Sequence, residues 1–181
     1  MSNNEQNSQR RLVYWEDLVD APLRRYGPVI FSSQLLDQLL ELLGEKHPVH
    51  SSDGFAELTS RKRRIIPGGF IHSITSGWTV QHGSSAAVIG MRSVTWDFIR
   101  PLYPDEPFYF TNMTLNSSII DERRGLVNTE RRVFDENNQV YAIGRMNVVM
   151  LRRAGKETGV KNMPDVSTRS PAISEEANHG H

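Results

Sequence analysis

Glu45-Lys46-His47-Pro48-Val49-His50 sets a carboxylate and an imidazole five residues apart, around a proline and just past a leucine-rich segment. A carboxylate is ionised near neutral pH, while an imidazole takes up and releases protons there. Held against one small volume, such a pair can deprotonate a water and protonate a carbon in one event. Ile65-Ile66-Pro67-Gly68-Gly69-Phe70, whose Gly68 stands eighteen residues after His50, places glycine N–H groups just behind a proline, where the pattern reads as a helix start. Unpaired amides and the positive end of a helix dipole favour a developing oxyanion there. Removing one such donor typically costs about 100–1,000-fold in rate. Two turns further along, Ser76 shares a helix face with Gly69, His72 and Ser73. Taken one at a time, these residues also fit plain structure: a helix end and a turn, glycines that permit close packing, a small residue in a tight helix.

Just before the glycines runs Arg61-Lys62-Arg63-Arg64, four consecutive cations. A solvated basic loop is the simple reading. Contact with ligand phosphates is the functional one, because the loop leads straight into the glycine segment. His47 and His50 beside Glu45, and His179 with His181 at the far end, are metal-ligand residue types. The His47–His50 spacing suits a helix, which Pro48 is expected to break, so no metal is expected. Trp78, Trp96 and Phe98 read as core rather than as a binding platform.

These residues need elements to hold them. Ser32 and Ser33 precede Leu35, Leu36, Leu39, Leu40 and Leu43, one broad helical stripe, with Gly44 placed to end it in a left-handed conformation. That predicts an amphipathic helix over 33–43. Residues 68–82 are apolar or small almost all round (Phe70, Ile71, Ile74, Gly77, Trp78, Val80), the pattern of a buried helix. Their β-branched members would also permit a strand, but the Pro-Gly-Gly start favours the helix. Beyond Ala86 the pattern turns to strands, over 87–99, Phe108–Ile120, Leu126–Phe134 and Val140–Leu151. With a short early strand over Tyr26–Ile30, this reads as a meander of about five strands. An antiparallel sheet must bury one face, and helix 68–82 is the element available to cover it. The expected class is α+β, an antiparallel sheet wrapped around a central helix.

Composition narrows the partners. Across 181 residues, 21 Lys+Arg balance 21 Asp+Glu, against the basic excess expected of a nucleic-acid binder. Hydrophobic residues make up 38% of the chain, enough for a core. The sequence holds no cysteine, which excludes a disulfide scaffold, a Cys-ligated metal centre and a thiol nucleophile within it. No apolar run approaches the roughly 18–20 residues of a membrane span, and the polar start shows no secretory signal. The expectation is a soluble, cytoplasmic protein with no membrane and no nucleic-acid partner. Residues 1–11 read as a polar arm, 12–153 as one domain and 154–181 as a polar tail.

Together the segments resemble the MaoC-like hydratase/dehydratase family, which includes the (R)-specific enoyl-CoA hydratases. The family pattern runs Asp-x-Asn-Pro-x-His, then an Ile-x-His/Pro-Gly segment opening a central helix, then a serine on that helix. This chain shows Glu45, Pro48 and His50 in the first segment, Gly68 in the second and Ser76 in the third. The spacing runs without a gap, eighteen residues from His50 to Gly68 and eight more to Ser76. Further on, FIRPLYPDEPFYF resembles the family's arginine–proline strand and its proline–aspartate turn, and the whole resemblance spans roughly residues 12–152. Two positions depart from the pattern: Glu45 stands where the family has aspartate, and His47 where it has asparagine.

The resemblance implies a hot-dog fold, with helix 68–82 inside an antiparallel sheet, and pairing into a homodimer or a higher homo-oligomer. It implies an acyl-CoA or acyl-carrier-protein thioester as substrate and no metal or redox cofactor. On that pattern Glu45 and His50 grip one water and add it across a 2-enoyl thioester, giving an (R)-3-hydroxyacyl product. The Gly68 amide would receive the thioester oxygen, and Ser76 would hold the carboxylate in place. Gly69 and the loop cations Arg61, Arg63 and Arg64 would bind substrate, the cations through the CoA phosphates. Two other readings stay open. A thioesterase would use a carboxylate on the central helix, and none lies between Gly68 and His82. A non-catalytic acyl-CoA-binding protein is the other.

Overall fold

A computed structural model of the chain describes residues 12–82 and 87–153. The arm and the tail expected at 1–11 and 154–181 lie outside the described residues. Helix α1 (Glu16–Val19) and strand β1 (Arg24–Ile30) lead into helix α2 (Ser33–Leu43). Caps fix both ends of α2. Ser32 Oγ accepts the Leu35 N–H at 3.1 Å, and Gly44 ends the helix at φ 66°, a left-handed conformation that costs glycine little. The Gly44 N–H donates to Glu41 and the Glu45 N–H to Leu40, satisfying carbonyls of the last turn. Leu36 and Leu40 are its buried stripe, packed against Val29, Phe31, Ile71 and Phe108. This helix keeps its expected span because periodicity and both caps agree.

Two short helices follow, α3 (Pro48–Ser51) and α4 (Asp53–Leu58). Pro48 opens α3 instead of breaking it, with His47 as the N-cap. A proline at the first helical position loses only an N–H that would have no intrahelical partner anyway. Helix α5 (Gly68–His82) fills its expected span. It is not enclosed all round: Ile71 and Thr75 are buried, whereas Gly69, Ser73, Gly77 and Val80 are exposed. One sheet covers one side of it.

Strands β2 (Val88–Phe98), β3 (Pro107–Ile119), β4 (Arg124–Phe134) and β5 (Val140–Leu151) join β1 in a single antiparallel sheet, ordered β1-β3-β4-β5-β2. Only β3, β4 and β5 form the expected meander. Strand β2 lies at the far edge beside β5, and β1 at the other edge beside β3. Residues 99–106 therefore cross the end of the sheet. Ile99 and Arg100 donate backbone N–H groups to the Tyr141 carbonyl, buried Leu102 accepts from the Ile66 N–H, and the Asp105 N–H reaches Phe31. With the first and second strands at opposite edges, α5 meets both: Gly68 lies against Phe98 of β2, and Ile71 shares a buried cluster with Val29 of β1.

The segment before β1 is fastened across the sheet. The Ala87 N–H donates to the Val13 carbonyl at 2.7 Å and the Trp15 N–H to Leu151 at 3.0 Å. The Trp15 indole donates to the Leu126 carbonyl at 3.1 Å and lies so close over Gly125 that a side chain there would collide with it. Among the described residues, no helix is long and apolar enough to cross a membrane.

Candidate active site

Glu45 directly follows the Gly44 cap, so the end of α2 fixes its backbone. Its Oε1 accepts the His47 N–H at 2.8 Å, which leaves Oε2 without a protein partner among the described residues. His47 Nδ1 in turn accepts the Val49 N–H at 3.3 Å, capping α3. This cap directs His50, one turn on, toward the segment before α5. There His50 Nδ1 lies 2.8 Å from the Ile65 carbonyl, and the Ile65 N–H donates to Val49 at 3.3 Å. A carbonyl only accepts, so His50 Nδ1 donates to it, and in the neutral ring Nε2 presents its lone pair. Among the described residues, no hydrogen bond joins Glu45 to His50.

Ile65 lies three residues before Gly68, so the two hydrogen bonds to it draw α3 to the N-terminal end of α5. The Phe70 N–H is taken by Pro67, whereas the N–H groups of Gly68 and Gly69 have no protein acceptor among the described residues. They are orphan donors at the positive end of a fifteen-residue helix. Gly68 has a packing reason as well: an added Cβ would lie 2.5 Å from the Phe98 ring of β2. At Gly69 nothing lies within 4 Å of such an atom, so that face is open. Both readings of the glycine pair thus have a physical basis, one residue for each.

The loop cations divide. Arg63 pairs with Glu106, donates to the Pro104 carbonyl at 3.3 Å and stacks over Tyr103 at 4.8 Å. Arg64 joins α2 to α4 through Asp37 and Asp53, and its Asp37 hydrogen bond is the largest influence raising its pKa. Arg61 is exposed, and its guanidinium has no protein acceptor among the described residues.

Ser76 lies eight residues along α5 from Gly68, about 12 Å at 1.5 Å per residue. Its hydroxyl accepts from Arg131 Nη1 at 3.1 Å rather than contacting Glu45. Arg131 comes from β4, is 5% exposed and was not singled out in the sequence. Its Nη1 also donates to Thr75 Oγ1 at 2.7 Å, and its Nε to Asn112 Oδ1 at 2.7 Å across the β3–β4 pair. Burial pushes the guanidinium down to about 10, which leaves it charged at neutral pH. Burial, and then the charge of Arg131, hold His72 below the ordinary imidazole range. A signal for Arg131 does exist: Val127, Thr129, Arg131 and Val133 share one strand face, and a cation interrupts it.

Ser76 and Arg131 line a cavity of about 320 Å³ between α5 and the sheet. Apolar side chains make up most of its wall, including Val80, Met91, Val127 and Met146, and Val13, Leu18, Ala21 and Pro22 close it from the segment around α1. Of the site residues read from the sequence, only Ser76 lines it. Among the described residues, no group of three or more His, Asp or Glu could hold a metal ion. His179 and His181 lie outside the described residues.

The sequence matches no protein-family profile and no curated protein. Solved structures do match. A MaoC-like dehydratase from Rhodospirillum rubrum superposes with a TM-score of 0.66 at 16% identity, over 78% of this chain and 98% of that one. An (R)-hydratase from Pseudomonas aeruginosa gives 0.63 at 19% identity, over 77% and 85%. A putative MaoC domain dehydratase from Chloroflexus aurantiacus gives 0.73 at 19% identity, over 87% of this chain but 47% of that one, so this chain spans about half of it. At such identities the likeness is one of fold. The fold is the hot-dog fold, shared with MaoC-like dehydratases and (R)-hydratases.

Proposed function

We propose that the chain is a hydro-lyase that adds water to, or removes it from, the 2,3-bond of an enoyl thioester. One observation carries this reading: the His50–Ile65 hydrogen bond ties a basic imidazole nitrogen to the segment that opens α5. The thioester oxygen would take the unclaimed N–H of Gly68, with Gly69 beside it. Water would lie between His50 Nε2 and Glu45 Oε2. As the base removes a water proton, the water oxygen bonds to C3 and the π-electrons move onto the thioester oxygen. The amide stabilises that enolate. The Glu45–His50 pair then returns that proton to C2 from the same face, giving an (R)-3-hydroxyacyl thioester. Dehydration is the reverse, and no step calls for a metal or a redox cofactor.

The cavity beyond Ser76 suits the acyl chain, because its wall is mostly apolar and it runs beside α5. Arg61 would be the loop cation that meets CoA or carrier-protein phosphate, because Arg63 and Arg64 hold ion pairs within the chain. A second copy of the chain is the partner this reading expects, making a homodimer or a larger homo-oligomer. A thioesterase is disfavoured because α5 bears no carboxylate.

The test follows the 2-enoyl-thioester absorbance of crotonyl-CoA and of longer 2-enoyl-CoA esters. The wild type is expected to remove it, and His50→Ala to slow the loss by about 100-fold or more. Absorbance loss that ignores His50, or release of free thiol in its place, would reject the hydratase reading.

A further inference from the structure

Among the described residues, Arg131 is a buried cation that no carboxylate answers. A guanidinium has five N–H bonds. Asn112 takes the one on Nε, and Thr75 and Ser76 take the two on Nη1. The two on Nη2 meet no protein acceptor among the described residues. Nη2 is not sealed inside protein, since among the described residues the buried side-chain polar atoms without a partner are His72 Nδ1, Trp96 Nε1 and Arg152 Nε. Arg131 lines the cavity beside α5, whose wall carries no Asp or Glu among the described residues.

A charge placed in an apolar cavity is unfavourable unless something of opposite sign answers it. The two hydroxyls and the amide oxygen around Arg131 supply only partial charges. A plain alkyl chain entering the cavity would strip remaining water from Nη2 and return no acceptor. A carboxylate at the end of that chain would accept from Nη2 and give a charge-assisted hydrogen bond in a poorly hydrated space. We infer that Arg131 selects an acyl group whose far end carries a carboxylate, so that the substrate is the monothioester of a dicarboxylic acid. This rests on the proposed reading of the cavity as the acyl site, and it names the substrate class. Arg131 would then determine specificity at one end of the substrate, while Gly68 and His50 act at the other.

The test is calorimetric and needs no turnover. The full chain is titrated with octanoyl-CoA and with the monothioester of octanedioic acid and CoA, both saturated and therefore not hydratable. The dicarboxylic ester is expected to bind at least about 10-fold tighter, the range of one hydrogen bond between charged groups. Arg131→Met is expected to bring the affinity ratio to one or below, and Arg131→Lys to keep part of the preference. A ratio that Arg131→Met leaves unchanged would overturn the inference and mark Arg131 as a structural tie. Should Arg131→Met fail to fold, the wild type alone decides, because equal or tighter binding of octanoyl-CoA overturns the inference. If neither ester binds, the inference falls together with the acyl-site reading. A wild-type preference for the dicarboxylic ester that Arg131→Met abolishes, without hydration of any enoyl ester, would sink the hydro-lyase reading alone.

Discussion

Glu45 turns its carboxylate back onto the amide two residues along, the contact an aspartate makes in an Asx-turn. Aspartate can keep that His47 N–H. Glu45→Asp is therefore expected to hold or raise the hydration rate. Glu45→Gln keeps an oxygen for the same N–H but cannot serve as a base, so it is expected to lower the rate by about 100-fold or more. Steady-state kinetics with a 2-enoyl-CoA reads both, and a Gln variant at the wild-type rate would remove Glu45 from the chemistry. The residues of this end of the site were legible because each stands at a fixed offset from a local signal: a helix cap, a proline turn, a glycine pair. Arg131 was not singled out, since Arg131 and Arg132 look alike as letters. The pleat sends one toward α5 and leaves the other exposed on the opposite face. The loop cations show the same limit, because Arg63 and Arg64 meet Glu106 and Asp37, far away in sequence.

Where α5 meets β2, Gly68 and the Phe98 ring leave no space for a side chain. Gly68→Ala is expected to destabilise the fold by about 1–3 kcal/mol, and adding Phe98→Ala to recover part of it. Denaturant unfolding reads the cycle, and a loss that Phe98→Ala leaves untouched would place the strain elsewhere. Within β4, Glu130 is 6% exposed, with Arg132 Nε at 2.8 Å and Arg145 Nη2 at 3.1 Å. The Arg132 hydrogen bond, and then the charges of both arginines, outweigh desolvation and hold its carboxyl below the ordinary range. A carboxyl lowered in this way stabilises the fold above its unfolded-state pKa, and that contribution is lost as pH falls through the folded-state value. Both arginines are half exposed, so screening limits the effect to about 1 kcal/mol. Glu130→Gln is expected to cost about that much near pH 7 and little in strong acid; equal losses at both would reject the ion-pair account. Long elements were legible because α2 and α5 carry periodicity over several turns. Helices α1, α3 and α4, of four to six residues, are too short to show a period. The sheet order was hidden for another reason: β2 chooses its neighbour through contacts distant in sequence.

At the scale of the whole fold, one edge of the sheet has no neighbouring strand among the described residues. Among the described residues, strand β2 pairs only with β5, and Val88, Ile89, Met91, Val94 and Phe98 are exposed along it, near Val80 of α5 in the case of the cavity-lining Val88 and Met91. A long apolar edge strand is a template for pairing with another chain. Light scattering is expected to give a dimer or a multiple of it for the wild type, and a smaller species for Val94→Lys. A monomeric wild type would reject the homo-oligomer. The other end of the molecule carries a different kind of consequence. Val13, Leu18, Ala21 and Pro22 form the back wall of the cavity, on a segment fastened by the Trp15 indole and by backbone bonds to Ala87 and Leu151. This wall is a strap laid over the sheet, while His50 and Gly68 stand at the opposite end of α5. Insertions, deletions or exchanges in the strap can therefore lengthen or shorten the chamber as one moves the stop on a gauge, so that, on the proposed reading, the range of substrates and the chemistry performed on them would be free to evolve on separate schedules.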